Sequence, residues 1–566
     1  MIRCPIASLL ALALSILPLA ARADDATAPR IAGLEIPGDP RFGAIARDVL
    51  LVQAEIAPDF AAQSGLMDDG ARVPSFTPRR LAALTRRLRA DLAGLHRLPW
   101  RRRPVDEQID VRWIAATAER LDREINVERL YRHRPAAWLE PVANVQINVL
   151  TYAPGRTDVL EALARGLPAA VHEMETLCEP TQVDADTARA LIGGMLTVLR
   201  SSATPSAPRA ITALEGYGGR LAALHPARPF AVIGAADYAW RLRHAELLPW
   251  TPGQLLALAQ RRLGEIELQR AALAPHVAPP GPLPPELEEQ AKTLDQASLL
   301  GLYDAIQQRY RRRIEDAGFV TVPAAVGPVR ARVTPDAEVP LTGDGGSMNP
   351  PPPWIADGTG WWNVEHFDPA MGLAAREAVV REAAQGELNR MGPYAAHEGL
   401  PGHHLQLSIA RLHPDPIRKL LQDPVMNEGW ALYAEQLMWE HGGQGPSVEA
   451  HAAMLYAWRG RARRVVYDVN IETGRWTLQQ AADWRHDAAP GQGEIDEDVK
   501  RAVNWPAQLV CYFAGKEQIL ALKADYRRKM GDAYSERRFH DELLALGSIP
   551  YVFARAKLLG EPVPDF

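Results

Sequence analysis

RRLAALTRRLRADLAGLHRL, residues 79–98, places leucines at 81, 84, 88, 92 and 95 with arginines and small residues between them. Apolar positions three and four apart line one face of a 3.6-residue turn, so this stretch predicts an amphipathic α-helix. DVLEALARGLPAAVHEMETL (158–177) and PGQLLALAQRRLGEIELQRAAL (252–273) repeat the pattern. With 47% hydrophobic and 23% charged residues in 566, the chain is expected to fold as a globular, mainly α protein.

Two stretches interrupt the helical period: APHVAPPGPLPPE (274–286), a proline-rich connection, and PLTGDGGSMNPPPPW (340–354), a glycine- and proline-rich loop. Between them FVTVPAAVGPVRARVTP (319–335) alternates β-branched with small residues and is the best case for strand. No internal repeat is evident. The expected organisation is a helical half over 24–285, a half carrying the chemistry over 286–566, and a small β element near the middle.

Residues 1–23 stand apart. MIRCPIASLLALALSILPLAARA has a basic start, a short apolar run and Ala21-Arg22-Ala23 at the position of a signal-peptidase site. The expectation is a cleaved leader and a periplasmic or secreted protein, since the apolar run is short for a membrane span. Losing Arg3 and Arg22 takes the formal charge from −6 to −8, which argues against nucleic acid and anionic membranes as partners. All but seven of the 63 basic residues are arginine, so runs such as Arg101-Arg102-Arg103 read as solvated helix faces. Cys4 leaves with the leader. Cys178 and Cys511 are expected as two buried thiols, with pairing in an oxidising compartment as the alternative.

AHEGLPGHHLQ (396–406) concentrates three histidines and a glutamate. In the zinc-peptidase signature H-E-x-x-H, histidines four apart share one helix face and one ion. Here His403 and His404 follow His397 by six and seven. Six positions on a regular helix turn about 240° around the axis, and seven move about 10 Å along it, so neither pair grips one ion without a break. Pro401 and Gly402 supply the means for one: proline removes a helix hydrogen bond and pushes Leu400 out of the α region, and glycine accepts unusual dihedral angles.

A catalytic zinc needs a third protein ligand. NEGWALYAEQLMWE (427–440) begins after Asp423-Pro424, which signals a helix start, and carries Glu428 and Glu435 seven apart on one face. Glu428 is the expected third ligand, against the plainer reading of a first-turn acid favoured by the helix dipole. Glu435 is the expected acceptor for the N–H of a ligand histidine.

Together HEGLPGHHLQ, NEGWALYAEQLMWE, RRVVYDVNIETGRWTLQQA (463–481) and VKRAVNWPAQLVCYFAGKEQI (499–519) resemble the "domain of unknown function 885" family of bacterial proteins, which are predicted zinc-dependent peptidases. That family is more distantly similar to helical metallopeptidases with a deep central cleft: the thermostable carboxypeptidases, the oligopeptidases and angiotensin-converting enzyme. The resemblance implies a large helical body with such a cleft, one Zn2+ per chain held by His397, His403 and Glu428, and Glu398 as general base. It leaves His404 as an alternative ligand or substrate contact. Two departures stand out in the last block, where the family's R-Y-x-x-W-P-G-Q-A has Ala502 for the tyrosine and Ala507 for the glycine. In the third block Glu472-Thr473-Gly474-Arg475 stands where a histidine often precedes the tryptophan. These changes bear on substrate preference and on the oxyanion donor.

The expected chemistry is peptide hydrolysis by an activated water, with Glu398 moving its proton. Tyr512 is the candidate oxyanion donor by analogy with the helical zinc peptidases, against simple packing beside Phe513, and Tyr394 competes for the role. Arg475, Arg501 and Lys516 are candidates to hold a substrate carboxylate, Asp468 to orient one of these arginines, and Gln508 to bond a substrate backbone. The expected substrate is a short peptide. Two other readings remain open at this stage: a zinc hydrolase of a non-peptide amide or ester, and a non-catalytic, metal-dependent peptide-binding protein.

Overall fold

The computed structural model describes residues 29–277, 281–385, 391–443 and 448–565, so the expected leader lies outside the described residues. The fold is mainly α. The opening stretch forms the helix Pro78–Arg97, started by Pro78 in its first turn and by the Thr77 hydroxyl, which accepts from Arg80 N. Leu81, Leu84, Leu88 and Leu95 are buried along it, facing the helices Pro40–Ile56 and Val105–Arg123. Thr157–Leu177 runs through Pro168 as one helix. Pro252–Leu273 starts with a reciprocal Thr251/Gln254 capping box and packs along Val448–Glu472.

The small β element is a three-stranded sheet. Its three strands are β1 (Val329–Val333), β2 (Ser347–Asn349) and β3 (Gly360–Val364), in the order β1-β3-β2, with β1 parallel and β2 antiparallel to β3. β1 falls in the stretch read as strand, whereas β2 lies inside the stretch read as loop. What holds β2 there is side-chain pairing: Asn363 of β3 donates to Ser347 Oγ at 2.9 Å and to Asn349 Oδ1 at 2.6 Å. Arg332 of β1 also reaches Asn349 Oδ1, at 2.8 Å. Three residues inside a Gly/Pro run give no alternation to read.

Both expected halves share one apolar core running from Ile31 to Val563. Polar contacts also cross between them. The Tyr238 hydroxyl donates to Asp468 at 2.5 Å, Arg134 donates to Asn504 O at 2.8 Å, and the buried Arg418 pairs with Asp110 at 2.9 Å. Cys178 and Cys511 are unpaired thiols, donating to Tyr131 O and Ala507 O. Among the described residues no helix is long and apolar enough to cross a membrane.

Candidate metal centre and its cleft

The HEGLPGHH stretch is two helices. Met391–Glu398 ends on His397 and Glu398, and His403–Ala410 begins after a four-residue turn whose Leu400–Pro401 peptide is cis. Gly402 lies against the preceding turn, where any Cβ would collide with the carbonyl oxygen of His397. Gln307, from the helix Gln296–Ala317, braces the break by donating to Ala395 O at 2.9 Å and accepting from Leu400 N at 3.0 Å. A Cβ on Gly399 would strike the same Gln307 amide. On the other side Trp430 Nε1 donates to Pro401 O at 2.8 Å.

The break turns His403 back beside His397, with ring centroids 4.9 Å apart and planes nearly perpendicular. The helix Pro424–Glu440 is started by the Asp423 carboxylate, which accepts from Met426 N at 2.7 Å, and it brings Glu428 to the pair. Glu428 Oε2 stands 3.5 Å from His397 Nε2 and 3.4 Å from His403 Nε2, and one ligand atom from each of the three lies within 4.8 Å of the others. Donors at about 2.0–2.1 Å around a tetrahedral zinc stand roughly 3.4 Å from one another. Glu428 Oε2 is buried with no hydrogen-bond partner. The donor set, the spacing and the orphaned oxygen all fit a zinc ion.

Two turns along the same helix, the fully buried Glu435 accepts from His397 Nδ1 at 2.8 Å and pairs with Arg461 at 3.4 Å. Burial works against a charged His397, but the Glu428 and Glu435 carboxylates beside it lift its pKa to about 9. Burial also opposes ionisation of Glu428, yet the His397 and His403 imidazoles hold its carboxyl well below the usual range. Glu398 is raised, by burial against the pull of the same two histidines.

His404 points elsewhere. It is fully buried, its Nε2 donates to Gly327 O at 2.9 Å, and its ring occupies the space that a Cβ on Gly360 of β3 would need. Burial pushes its pKa down to about 4. The alternative ligand is therefore a core residue joining its helix to the sheet.

The three convergent residues and Glu398 open onto a cleft of about 690 Å³. Glu140, Asn144 and Asn148 line it from the first half, Ser347 to Asn349 from β2 with Pro350 after it, and Arg501, Trp505 and Tyr512 from the last block. Tyr512 arrives because the helices Pro424–Glu440 and Cys511–Met530 cross at Gly429 and Gly515, where a Cβ on either would meet the backbone of the other helix. Its ring stacks 6.0 Å from that of His397, and its hydroxyl accepts from Arg501 at 3.2 Å. Ala507, in the position of the family's glycine, adopts φ +69°.

The other candidates are placed differently. Tyr394 is exposed, with its ring beside Arg461, and does not line the cleft. Lys516 is buried with its ammonium 2.8 Å over the Trp458 ring; burial pushes its pKa well down, and it is not a cleft residue. Arg475 is exposed on the turn after Val448–Glu472 and does not line the cleft. Asp468 orients neither Arg475 nor Arg501; it accepts from the Tyr238 hydroxyl beside the backbone of Ala507, and burial pushes its pKa up to about 7. Gln508 stands beside Tyr512 and outside the cleft lining. Gln307, Trp430 and Arg461 had not been singled out from sequence. Each lies in an ordinary helical pattern and acquires its role only from the packing of a second helix.

Two solved structures share the fold. One, described as "a putative lipoprotein of unknown function" from Shewanella oneidensis, is 18% identical with a TM-score of 0.70, covering 92% of this chain and 99% of its own. The other, "the putative lipoprotein" from Colwellia psychrerythraea, is 17% identical with a TM-score of 0.64 over the same shares. No curated protein matches the chain. The family model of a bacterial protein of unknown function, DUF885, matches residues 58–558, and the chain belongs to that family.

Proposed function

We propose that this protein is an exported zinc-dependent peptidase that hydrolyses short peptides. The observation carrying this reading is the convergence of His397, His403 and Glu428 on one point, with Glu398 next to His397, at the wall of a cleft. Zinc bound there supplies a Lewis acid and a water whose pKa falls towards 7. Glu398 takes the proton of the attacking water on its carboxylate and hands it to the leaving amine nitrogen. Tyr512, its hydroxyl already held by Arg501, donates to the oxygen that gains charge as the carbonyl is attacked. β2 is an edge strand whose residues line the cleft, a surface on which an extended peptide can pair its main chain. A cleft of about 690 Å³ suits a few residues of peptide and not a folded protein. Export is supported by the leader pattern over residues 1–23 and fits the lipoprotein descriptions of the two structural relatives.

The test is hydrolysis of a mixed peptide panel by the zinc-loaded protein beside Glu398→Gln, with non-peptide amides and esters included. We expect peptide cleavage by the wild type and a loss on the order of 10²–10⁴-fold in the variant. Cleavage of the amides or esters alone would move the reading to a different hydrolase. Equal behaviour of the two proteins would remove Glu398 from the chemistry.

A further inference from the structure

One wall of the cleft carries an arginine in no direct ion pair, with Asp498 and Glu428 acting on it only at longer range. Arg501 lines the cavity between Lys500 and Trp505, its Nε is buried with no hydrogen-bond partner, and among the described residues no carboxylate forms an ion pair with it. The neighbouring charges are already engaged. Asp498, three residues earlier on the helix Glu497–Asn504, is held by Arg464 at 2.9 Å and Arg485 at 3.1 Å, and Lys500 pairs with Glu497 at 2.7 Å. Arg464 also lies against the Tyr512 ring, its guanidinium carbon 5.0 Å from the centroid. Two guanidinium groups, of Arg464 and Arg501, therefore flank the phenol, and only that of Arg501 lines the cleft and is in no ion pair.

The guanidinium is also positioned. Its NH2 group donates to the Tyr512 hydroxyl at 3.2 Å, and it packs 5.5 Å from the centre of the Trp505 ring. Trp505 Nε1 is in turn fixed at 3.1 Å from both carboxylate oxygens of Glu140. A planar, oriented guanidinium with free donor capacity in a partly dry cleft is the geometry that binds a carboxylate.

We propose that Arg501 is the anchor for the free α-carboxylate of the substrate, so that the preferred substrates are short peptides cut next to their carboxyl terminus. This inference rests on the peptidase reading and adds the end of the chain from which cleavage is measured. The anchor lies one phenol beyond His397, whose ring is 6.0 Å from that of Tyr512. An extended chain advances about 3.5 Å per residue, so one or two residues fit between the anchored carboxylate and the bond that breaks.

The experiment uses the full zinc-loaded chain carrying Glu398→Gln, titrated calorimetrically with a tripeptide free acid and with the same tripeptide as its C-terminal amide. The acid should bind tighter by on the order of tenfold or more, the scale of a hydrogen bond between charged groups. Adding Arg501→Ala should abolish the difference, Arg501→Lys should keep part of it, and Arg475→Ala, which does not line the cleft, should leave it whole. Equal binding of acid and amide, which needs no Arg501 variant to observe, overturns the anchor; so does an acid preference that survives Arg501→Ala. Wild-type hydrolysis separates the two readings. Acid-selective binding with no cleavage of any peptide leaves the anchor and ends the peptidase, whereas equal cleavage of acids and amides leaves the peptidase and ends the anchor.

Discussion

Glu435 accepts the Nδ1 proton of His397 at 2.8 Å, which fixes the ring and leaves Nε2 directed at Glu428, 3.5 Å away. A carboxylate behind a ligand histidine sets the tautomer and raises the basicity of the donor nitrogen. Replacing Glu435 with Gln should therefore weaken zinc binding by roughly 10–100-fold without touching a ligand. Competition against a chromophoric chelator measures this; unchanged affinity would mean that the ring is held by packing alone.

The turn between the two histidines tolerates no side chain at Gly402, because the Cβ would meet backbone rather than a movable group. Gly402→Ala should cost at least about 1–3 kcal/mol in denaturant unfolding. It should also lose metal affinity, since relief of the clash moves His403 relative to His397. A stable variant with unchanged zinc affinity would show that the break is not what brings the rings together.

His403 and His404 are adjacent in sequence and opposite in role. His403→Ala should abolish stoichiometric zinc binding at modest cost in stability. His404→Ala should keep the zinc and lose about 2–4 kcal/mol, because it empties a buried site and leaves Gly327 O without its donor. Metal content and chemical unfolding of the two variants, measured side by side, settle the assignment. The reverse pattern would exchange the two roles.

Ala507 occupies the left-handed region at φ +69°, where a Cβ is costly. Ala507→Gly should stabilise the protein by about 1 kcal/mol, less whatever the unfolded chain gains in freedom. A rise in the unfolding midpoint checks this, and a fall of similar size would mean that the Cβ contributes more through packing than the backbone loses.

Helices were the legible part of this chain. The leucine spacing of 81, 84, 88 and 95 is a property of local sequence, and it places the helix Pro78–Arg97 within a residue or so. The centre was half legible. The misfit between six-residue spacing and a 3.6-residue turn, with Pro401 and Gly402 in the gap, points to a broken helix. The sequence does not choose between His403 and His404, because the choice depends on β3 lying where His404 packs. The candidates for holding a substrate carboxylate were the least legible. Arg475, Arg501 and Lys516 are equivalent as letters, and only tertiary burial sends one to solvent, one into the cleft and one under Trp458. Asp468 likewise reads as a partner for arginine, yet its neighbours prove to be Tyr238 and the backbone of Ala507.

The most direct measurement is anomalous diffraction at the zinc absorption edge from crystals of the zinc-loaded protein. We expect one peak per chain, with His397 Nε2, His403 Nε2 and a Glu428 oxygen each at about 2.0–2.2 Å and a fourth position open to the cleft. A map with no peak between these residues, or with its only peak coordinated by other side chains, would contradict the metal centre and the hydrolytic chemistry built on it.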